Sequence, residues 1–90
     1  MALESRSSPG WVDSRFGIVT RRLRQERGWS QEKLAELADL NRSYLGEIER
    51  GDAKPSIGSA EKIALAFDLR LSSLVGLCEH ENSGLLAIAG

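Results

Sequence analysis

Apolar residues recur along this chain in five stretches, at the spacing of an amphipathic helix. The first stretch begins near Asp13, and its core-facing positions are Phe16, Val19, Thr20 and Leu23. In the second stretch the matching positions are Leu34, Ala35, Leu37 and Ala38. In the fourth they are Ile57, Ala60, Ile63, Ala64 and Phe67, and in the fifth they are Leu74, Val75, Leu77 and Cys78. Only residues 85–89 could form a strand, so the pattern predicts an all-α domain of five short helices.

Capping residues separate these stretches. Gly28 suits the left-handed position that ends a helix, and Gly51 ends a third helix expected from Arg42 to Arg50. A side-chain oxygen just before a helix can accept a hydrogen bond from its first free N–H groups. The residues that offer this N-cap for the second to fifth helices are Ser30, Asn41, Ser56, and Ser72 or Ser73.

The chain of 90 residues is long enough for one domain, which we expect to occupy residues 13–80. Residues 1–12, rich in serine and with Pro9 followed by Gly10, predict a flexible N-terminal arm. Residues 81–90 lack capping residues and predict a C-terminal tail. A domain of this size buries roughly 60–65% of its unfolded surface, so a partner subunit would add useful stability.

The composition argues against several functional classes. A single cysteine permits no internal disulfide, and neither a signal peptide nor a membrane span of about 20 apolar residues is evident, so we expect a cytoplasmic protein. Cys78 and His80 are the only cysteine and histidine, too few for a closed zinc site. Because phosphate-binding and dinucleotide-binding fingerprints are also missing, we expect no enzyme, no metal and no cofactor.

Charge is unevenly distributed in a chain whose net charge is −1. Residues 1–30 carry six arginines against three acidic residues, whereas the remainder is acidic. Five of these arginines form a local basic stretch: Arg15, Arg21, Arg22, Arg24 and Arg27. Such a stretch is either a solvated helix face or a surface that follows a nucleic-acid backbone.

The third helix has two chemically different sides. One is apolar and consists of Leu45 and Ile48, with Tyr44 at its edge. The other carries Ser43, Gly46, Glu47 and Arg50, with Arg42 at the exposed N-terminal end. The apolar side can dock on a core while the polar side enters a DNA major groove about 12 Å wide, and Gly46 would let the backbone come close.

Glu49 lies four residues after Leu45, so its carboxylate leans toward the core. A partly buried carboxylate needs a cation or hydrogen bonds. Arg24 of the first helix is the expected partner, and the pair would lock the first and third helices together. The alternative is two solvated side chains.

Two segments, LRQERGWSQEKLAELA at residues 23–38 and LNRSYLGEIERGDAKPS at residues 40–56, resemble the Cro and lambda-repressor family of helix-turn-helix domains, also called XRE-type. The resemblance covers residues 16–77 and implies a five-helix, lambda-repressor-like DNA-binding domain whose recognition helix runs from Arg42 to Arg50. Within the family, NRSYLGEIERG is similar to the recognition segment of restriction-modification controller proteins, although antitoxins and phage repressors have similar segments.

The resemblance also implies a DNA-binding role for eight residues. At the matching positions, side chains that face base edges are Arg42, Ser43, Gly46 and Glu47, and those that meet the DNA backbone are Gln31, Tyr44, Arg50 and Lys54. It further implies that Arg24 and Glu49 form a buried salt bridge. Arg42 could grip guanine O6 and N7, and Glu47 could accept from cytosine N4 or instead pair with Arg50 or point into solvent.

Three residues depart from the family pattern. Asp39 occupies a turn position that is usually glycine, so any left-handed backbone there must be tolerated by aspartate. Thr20 replaces an apolar core residue, and Glu47 places a negative charge on the side that would face DNA.

We therefore expect a homodimeric transcriptional regulator, acting as a repressor or autoregulator on a double-stranded DNA operator. Its two recognition helices would enter successive major grooves about 34–36 Å apart. The expected dimer surface combines Leu71, Leu74, Val75 and Leu77, with the tail segment LLAIA as a further contributor. The alternative is an antitoxin or adaptor that uses the same fold to bind a toxin or another protein.

Overall fold

A computed structural model describes residues 10–81, with side chains described from Arg15 onward. In that range the chain forms five α-helices and no strand. The helices are α1 (Gly10–Glu26), α2 (Gln31–Ala38), α3 (Arg42–Arg50), α4 (Ile57–Ala66) and α5 (Leu71–His80). This confirms the all-α, five-helix prediction. Most of the expected arm and tail, including the possible strand at residues 85–89, lies outside the described residues.

Helix α1 begins at Gly10, three residues before the expected start at Asp13. Its end agrees with the prediction, because Gly28 has a left-handed φ of 70° and lets the N–H of Trp29 return to the carbonyl of Arg24 at 3.1 Å. The left-handed turn also appears at Asp39, where φ is 56°. Aspartate therefore supplies the geometry that glycine usually gives at this turn.

The N-caps of α2, α3 and α4 are those predicted. Ser30 Oγ accepts from the N–H of Lys33 at 3.0 Å, and Asn41 Oδ1 accepts from those of Ser43 and Tyr44 at 2.8 and 3.2 Å. Ser56 Oγ likewise accepts from the N–H of Ser59 at 3.0 Å. These bonds satisfy donors that the first helical turn cannot pair internally.

The predicted cap of α5 was wrong. The helix begins at Leu71 after Arg70, which makes no side-chain capping bond, so Ser72 and Ser73 lie inside the first turn. The start is set by tertiary contacts instead. After α4 the chain turns at Asp68, whose backbone is left-handed (φ 61°). Leu69 and Leu71 then pack against the core.

The core lies between the five helices and is filled by aliphatic side chains, two alanine-rich helix faces and Phe67. Its buried apolar members are Phe16, Val19, Leu23, Leu34, Ala35, Ala38, Leu45, Ile48, Ala60, Ile63, Ala64, Phe67, Leu74 and Cys78. Leu74 has no exposed surface, so it belongs to the core and not to the expected dimer surface. Val75 and Leu77 remain exposed at 42% and 36%.

Trp29 lies at the edge of this core. Its ring stacks on Phe67 with centroids 5.8 Å apart, so it covers the end of α4 and does not simply fill the space between α1 and α2. The guanidinium of Arg27 lies 4.8 Å from the Phe67 centroid and 5.7 Å from that of Trp29. Such cation–π contacts add to the packing of the rings.

Helices α1 and α3 approach each other closely at Gly17. A Cβ atom at this position would lie 2.4 Å from the carbonyl oxygen of Ile48 and 2.7 Å from that of Glu49. Only glycine fits without a shift of one helix, so Gly17 fixes how the last turn of α3 sits on α1. The periodicity did not single out this residue.

Thr20 occupies the core position expected to be apolar. The side chain is completely buried, and its Oγ1 has no hydrogen-bond partner among the described residues. The hydroxyl thus loses its hydration without compensation, at a cost of about 1–3 kcal/mol.

Candidate nucleic-acid interface

Helix α3 presents one buried and one exposed side, in agreement with the predicted two-sided pattern. Leu45, Ile48 and Glu49 are buried. The exposed side chains are Arg42, Ser43, Glu47 and Arg50. Because Asn41 fixes the first turn and the buried side fixes the rotation of the helix, these four side chains face away from the core in a defined arrangement.

The predicted pair of Arg24 and Glu49 is present and is buried. Arg24 Nε donates to Glu49 Oε2 at 2.8 Å and its Nη2 donates to Oε1 at 3.1 Å, which makes the contact bidentate. The side chains are only 11% and 2% exposed, and Arg24 Nη1 also donates to the carbonyl of Trp29 at 2.8 Å. The pair therefore joins α1, the turn before α2, and α3, as expected from the sequence.

Gln31, the first residue of α2, extends this network to the surface. Its Nε2 donates to Glu49 Oε1 at 3.0 Å. One buried carboxylate thus holds both the arginine of α1 and the glutamine at the start of α2. This bond was not anticipated, and it fixes the direction of a side chain that the family resemblance places at a phosphate.

Gly46 is buried, although it lies on the polar side of α3. The position of its missing Cβ is 3.2 Å from Arg50 Nη1 and 3.7 Å from Gln31 Oε1. The long side chains of Arg50 and Gln31 therefore lie over Gly46, and they would have to move before this backbone could come close to a ligand. A DNA contact at this residue stays a prediction.

Arg50 pairs with Asp52 and not with Glu47. Arg50 Nε donates to Asp52 Oδ2 at 3.0 Å, and both side chains are more than 60% exposed, at 62% and 63%. Glu47 is exposed and makes no ion pair with another side chain of residues 15–81. Asp52 was not predicted as the partner of Arg50. The sign of it in the sequence is that an acidic residue follows Arg50 by two positions.

Tyr44 and Lys54 lie beside the exposed side of α3. The half-buried Tyr44 hydroxyl donates to the carbonyl of Lys54 at 3.5 Å, and the Lys54 side chain is exposed. This contact brings the loop after α3 next to the helix. Six of the eight predicted DNA-binding residues therefore lie on α3, while Gln31 and Lys54 flank it on the chain segments before and after.

Most of the basic stretch on α1 and directly after it is engaged within the domain. Arg27 donates to the carbonyls of Leu23 and Phe67, each at 3.2 Å, and thereby joins the ends of α1 and α4. Near the end of α5, Arg22 pairs with the buried Glu81, and Arg15 donates to the carbonyl of Glu79 at 3.4 Å. The solvated-face and backbone-following interpretations both overlooked these structural roles.

Cys78 is buried, and desolvation together with the nearby Glu81 raises the pKa of its thiol to about 11, which disfavours the reactive thiolate. No cluster of three or more potential metal-ligating side chains occurs among residues 15–81. None of the described helices combines the length and apolar character needed to span a bilayer.

Comparisons with known proteins agree with this geometry. Residues 21–74 match the sequence profile of the helix-turn-helix family HTH_3. The control protein C.BamHI of Bacillus amyloliquefaciens is 38% identical in an alignment that covers 73% of this chain and 89% of that protein. The transcriptional regulator SutR of Escherichia coli K12 is 36% identical over 63 residues, covering 69% of this chain but only 35% of SutR. Neither is named as an enzyme.

A solved structure supports the same relationship. The restriction-modification controller protein C.AhdI from Aeromonas hydrophila aligns with a TM-score of 0.65 and 43% sequence identity, over 68% of this chain and 92% of that one. The family resemblance read from residues 23–38 and 40–56 is thus confirmed by sequence and by fold. The chain belongs to the helix-turn-helix family that includes XRE-type regulators and restriction-modification controller proteins.

Proposed function

We propose that this chain is a transcriptional regulator that binds double-stranded DNA sequence-specifically and inserts α3 into the major groove. The observation that carries the proposal is the asymmetry of α3. One side is fixed by core contacts and the buried Arg24–Glu49 pair, and the other presents Arg42, Ser43 and Glu47 to solvent. The relatives, named as a control protein and a transcriptional regulator, support a role in gene control.

Within this proposal, residues at the exposed start and middle of α3 read bases. Arg42 donates to guanine O6 and N7, Ser43 contacts a neighbouring base, and Glu47 accepts from cytosine N4. Gly46 lies beneath this surface. Gln31, Tyr44 and Lys54 position the domain on phosphates, which sets the register of α3 without reading sequence.

A DNA-binding experiment tests this function directly. Selection from a random duplex library, followed by fluorescence anisotropy on the selected and a scrambled sequence at two salt concentrations, measures preference as well as affinity. We expect a Kd of about 10⁻⁸ M or lower and a preference of at least about 10³-fold. Weak, equal binding to both duplexes with a steep salt dependence would be the phosphate contribution alone and would contradict the proposal.

We further propose that the protein acts as a homodimer through the exposed side of α5. A single module of this kind covers little DNA surface, and two-fold symmetry doubles it. The exposed Val75 and Leu77, with the half-buried Leu71, offer apolar surface on α5. Two α3 helices would then enter successive major grooves about 34–36 Å apart, and the operator would be pseudo-palindromic.

Sedimentation analysis distinguishes this dimer from a monomer. Val75→Glu should shift the protein toward monomer and weaken operator binding. Leu37→Glu is the matched control, because Leu37 is similarly exposed, at 45% against 42%, but lies on α2. A wild-type protein that stays monomeric at high micromolar concentration would refute the dimer. If selection also returned no sequence, the antitoxin or adaptor alternative would be favoured.

A further inference from the structure

We propose that Arg50 reads a base edge in the major groove, and that Asp52 and Gly46 fix the direction of its guanidinium. Asp52 is then a positioning residue for sequence recognition, although it need not touch DNA. This inference rests on the DNA-binding function proposed above and differs from the backbone contact that the family resemblance assigns to the Arg50 position.

The guanidinium of Arg50 lies one helical turn before its own Cα. Arg50 is the last residue of α3, but helical side chains point toward the N-terminus of their helix. Accordingly, Nη1 is 3.2 Å from the position that a Cβ of Gly46 would occupy. The positive charge therefore sits over Gly46 in the middle of α3, and not beyond the last residue of the helix.

Gly46 makes room for this arrangement. A methyl group at residue 46 would crowd Arg50 Nη1 at 3.2 Å and would approach Gln31 Oε1 at 3.7 Å. Gln31 is itself held by the buried carboxylate of Glu49. The guanidinium of Arg50 thus packs over Gly46, and an amide that the buried Glu49 carboxylate holds in place lies near the same point of the helix.

Asp52 holds the other edge of the guanidinium. Its Oδ2 accepts from Arg50 Nε at 3.0 Å, which leaves the Nη1 and Nη2 end to donate in parallel to guanine O6 and N7. Because both partners are more than 60% exposed, the pair adds little to folding stability. Its negative charge next to the cation also weakens the attraction of this site for phosphate, which favours a base contact over a backbone contact.

Base reading and phosphate binding predict different outcomes when Arg50 is removed. Loss of a base contact abolishes discrimination at one base pair of each half-site and leaves the other preferences intact. Loss of a phosphate contact weakens binding to all sequences about equally and lowers the salt dependence by about one ion.

The test measures binding to the selected operator and to each of its single-base-pair variants, at two salt concentrations. We expect Arg50→Ala to reduce discrimination at one base pair per half-site by roughly tenfold or more. Asp52→Ala should reduce discrimination at that same base pair, whereas Asp52→Asn, which keeps an oxygen acceptor, should restore most of it. Arg42→Ala is the matched control and should affect a different base pair. Thermal unfolding of each variant establishes that it is folded.

Two results would overturn the inference while leaving the proposed function intact. The first is an Arg50→Ala variant that binds all duplexes equally less well, with a reduced salt dependence. The second is an Asp52→Ala variant with an unchanged base preference at every position. If the wild-type protein selects no sequence at all, the proposed function fails and this inference fails with it.

Discussion

The arginines of α1 and those of α3 have the same chemistry and opposite surroundings. The Arg24 side chain is 11% exposed and bound to a carboxylate of the core, while that of Arg50 is 62% exposed on the polar side of α3. Arg15 and Arg22 on α1, and Arg27 directly after it, also donate to carbonyl or carboxylate oxygens within the domain. The density of arginine along the sequence therefore points away from α3, the helix that we propose binds DNA.

The arginines differ in their surroundings because different hydrogen-bond acceptors lie near each helix. The last turn of α1 lies close to backbone carbonyls of its own end, of the turn before α2 and of the end of α4. Arg27 donates to those of Leu23 and Phe67, and Arg24 donates to that of Trp29. Arg42, at the start of α3, is exposed and makes no ion pair with another side chain of residues 15–81, and we propose that its partner is DNA.

The largest expected effect is the loss of folding stability when the buried pair of Arg24 and Glu49 is broken. Arg24→Ala should lower the free energy of unfolding by about 3–5 kcal/mol, because it leaves the Glu49 carboxylate buried without its cation. Urea unfolding followed by circular dichroism measures the change. The control is Arg21→Ala on the same helix, an exposed arginine that should change stability by less than about 0.5 kcal/mol. Similar losses in both variants would show that burial does not distinguish these arginines.

A second test concerns how α3 is seated on α1. Gly17→Ala should destabilise the fold by about 1–3 kcal/mol, since its methyl group would lie 2.4 Å from the carbonyl oxygen of Ile48. Gly76→Ala in α5 has nothing within 4 Å of the new methyl group and should stabilise the fold by about 0.5–1 kcal/mol. Melting temperatures that move in the same direction would contradict the close approach.

At the exposed start of α3, we expect a free-energy change of similar size in DNA binding and not in folding. Arg42→Ala should cost about 1–3 kcal/mol of binding to the selected operator and relax one base position. Its free energy of unfolding should stay within about 0.5 kcal/mol of the wild type, because the side chain is exposed. Anisotropy and urea unfolding on the same sample separate the two effects. A stable variant with unaltered operator preference would remove Arg42 from the base-reading set.

The smallest expected effect is the change in folding stability when Thr20, in the buried part of α1, is replaced. Thr20→Val replaces a buried hydroxyl that has no partner with a methyl group of similar size. We expect a gain of about 1 kcal/mol in the free energy of unfolding, visible as a higher melting temperature. Thr20→Ser, which keeps the hydroxyl and loses a methyl group, should be less stable than the wild type. A destabilised valine variant would mean that the hydroxyl does find a partner.

Features that depend on neighbouring residues in the chain were predictable from the sequence. The caps at Ser30, Asn41 and Ser56 and the stop at Gly28 follow from which backbone groups a helix end leaves unpaired. The Arg24–Glu49 pair was also predictable, because a carboxylate on the inner side of α3 requires a cation.

Features that depend on tertiary packing were not predictable in this way. The need for glycine at residue 17 arises from carbonyls of α3 that are about thirty residues distant in the sequence, and Arg27 reaches Phe67, 40 residues away. The start of α5 depends on a left-handed Asp68 and not on a serine cap. Within the site, the side chains over Gly46 came from two different helices, so the pattern of α3 alone suggested an open surface.

The separation of the two sides of α3 has a consequence for evolution and design. Under the proposed function, substitutions at Arg42, Ser43 and Glu47 would alter what the helix recognises, while Leu45, Ile48 and Glu49 would still hold it at the same angle. Such a scaffold can acquire a new target sequence through a few surface exchanges without first losing its folded state. A gene duplication of this domain could therefore diverge in specificity one residue at a time, with every intermediate still folded.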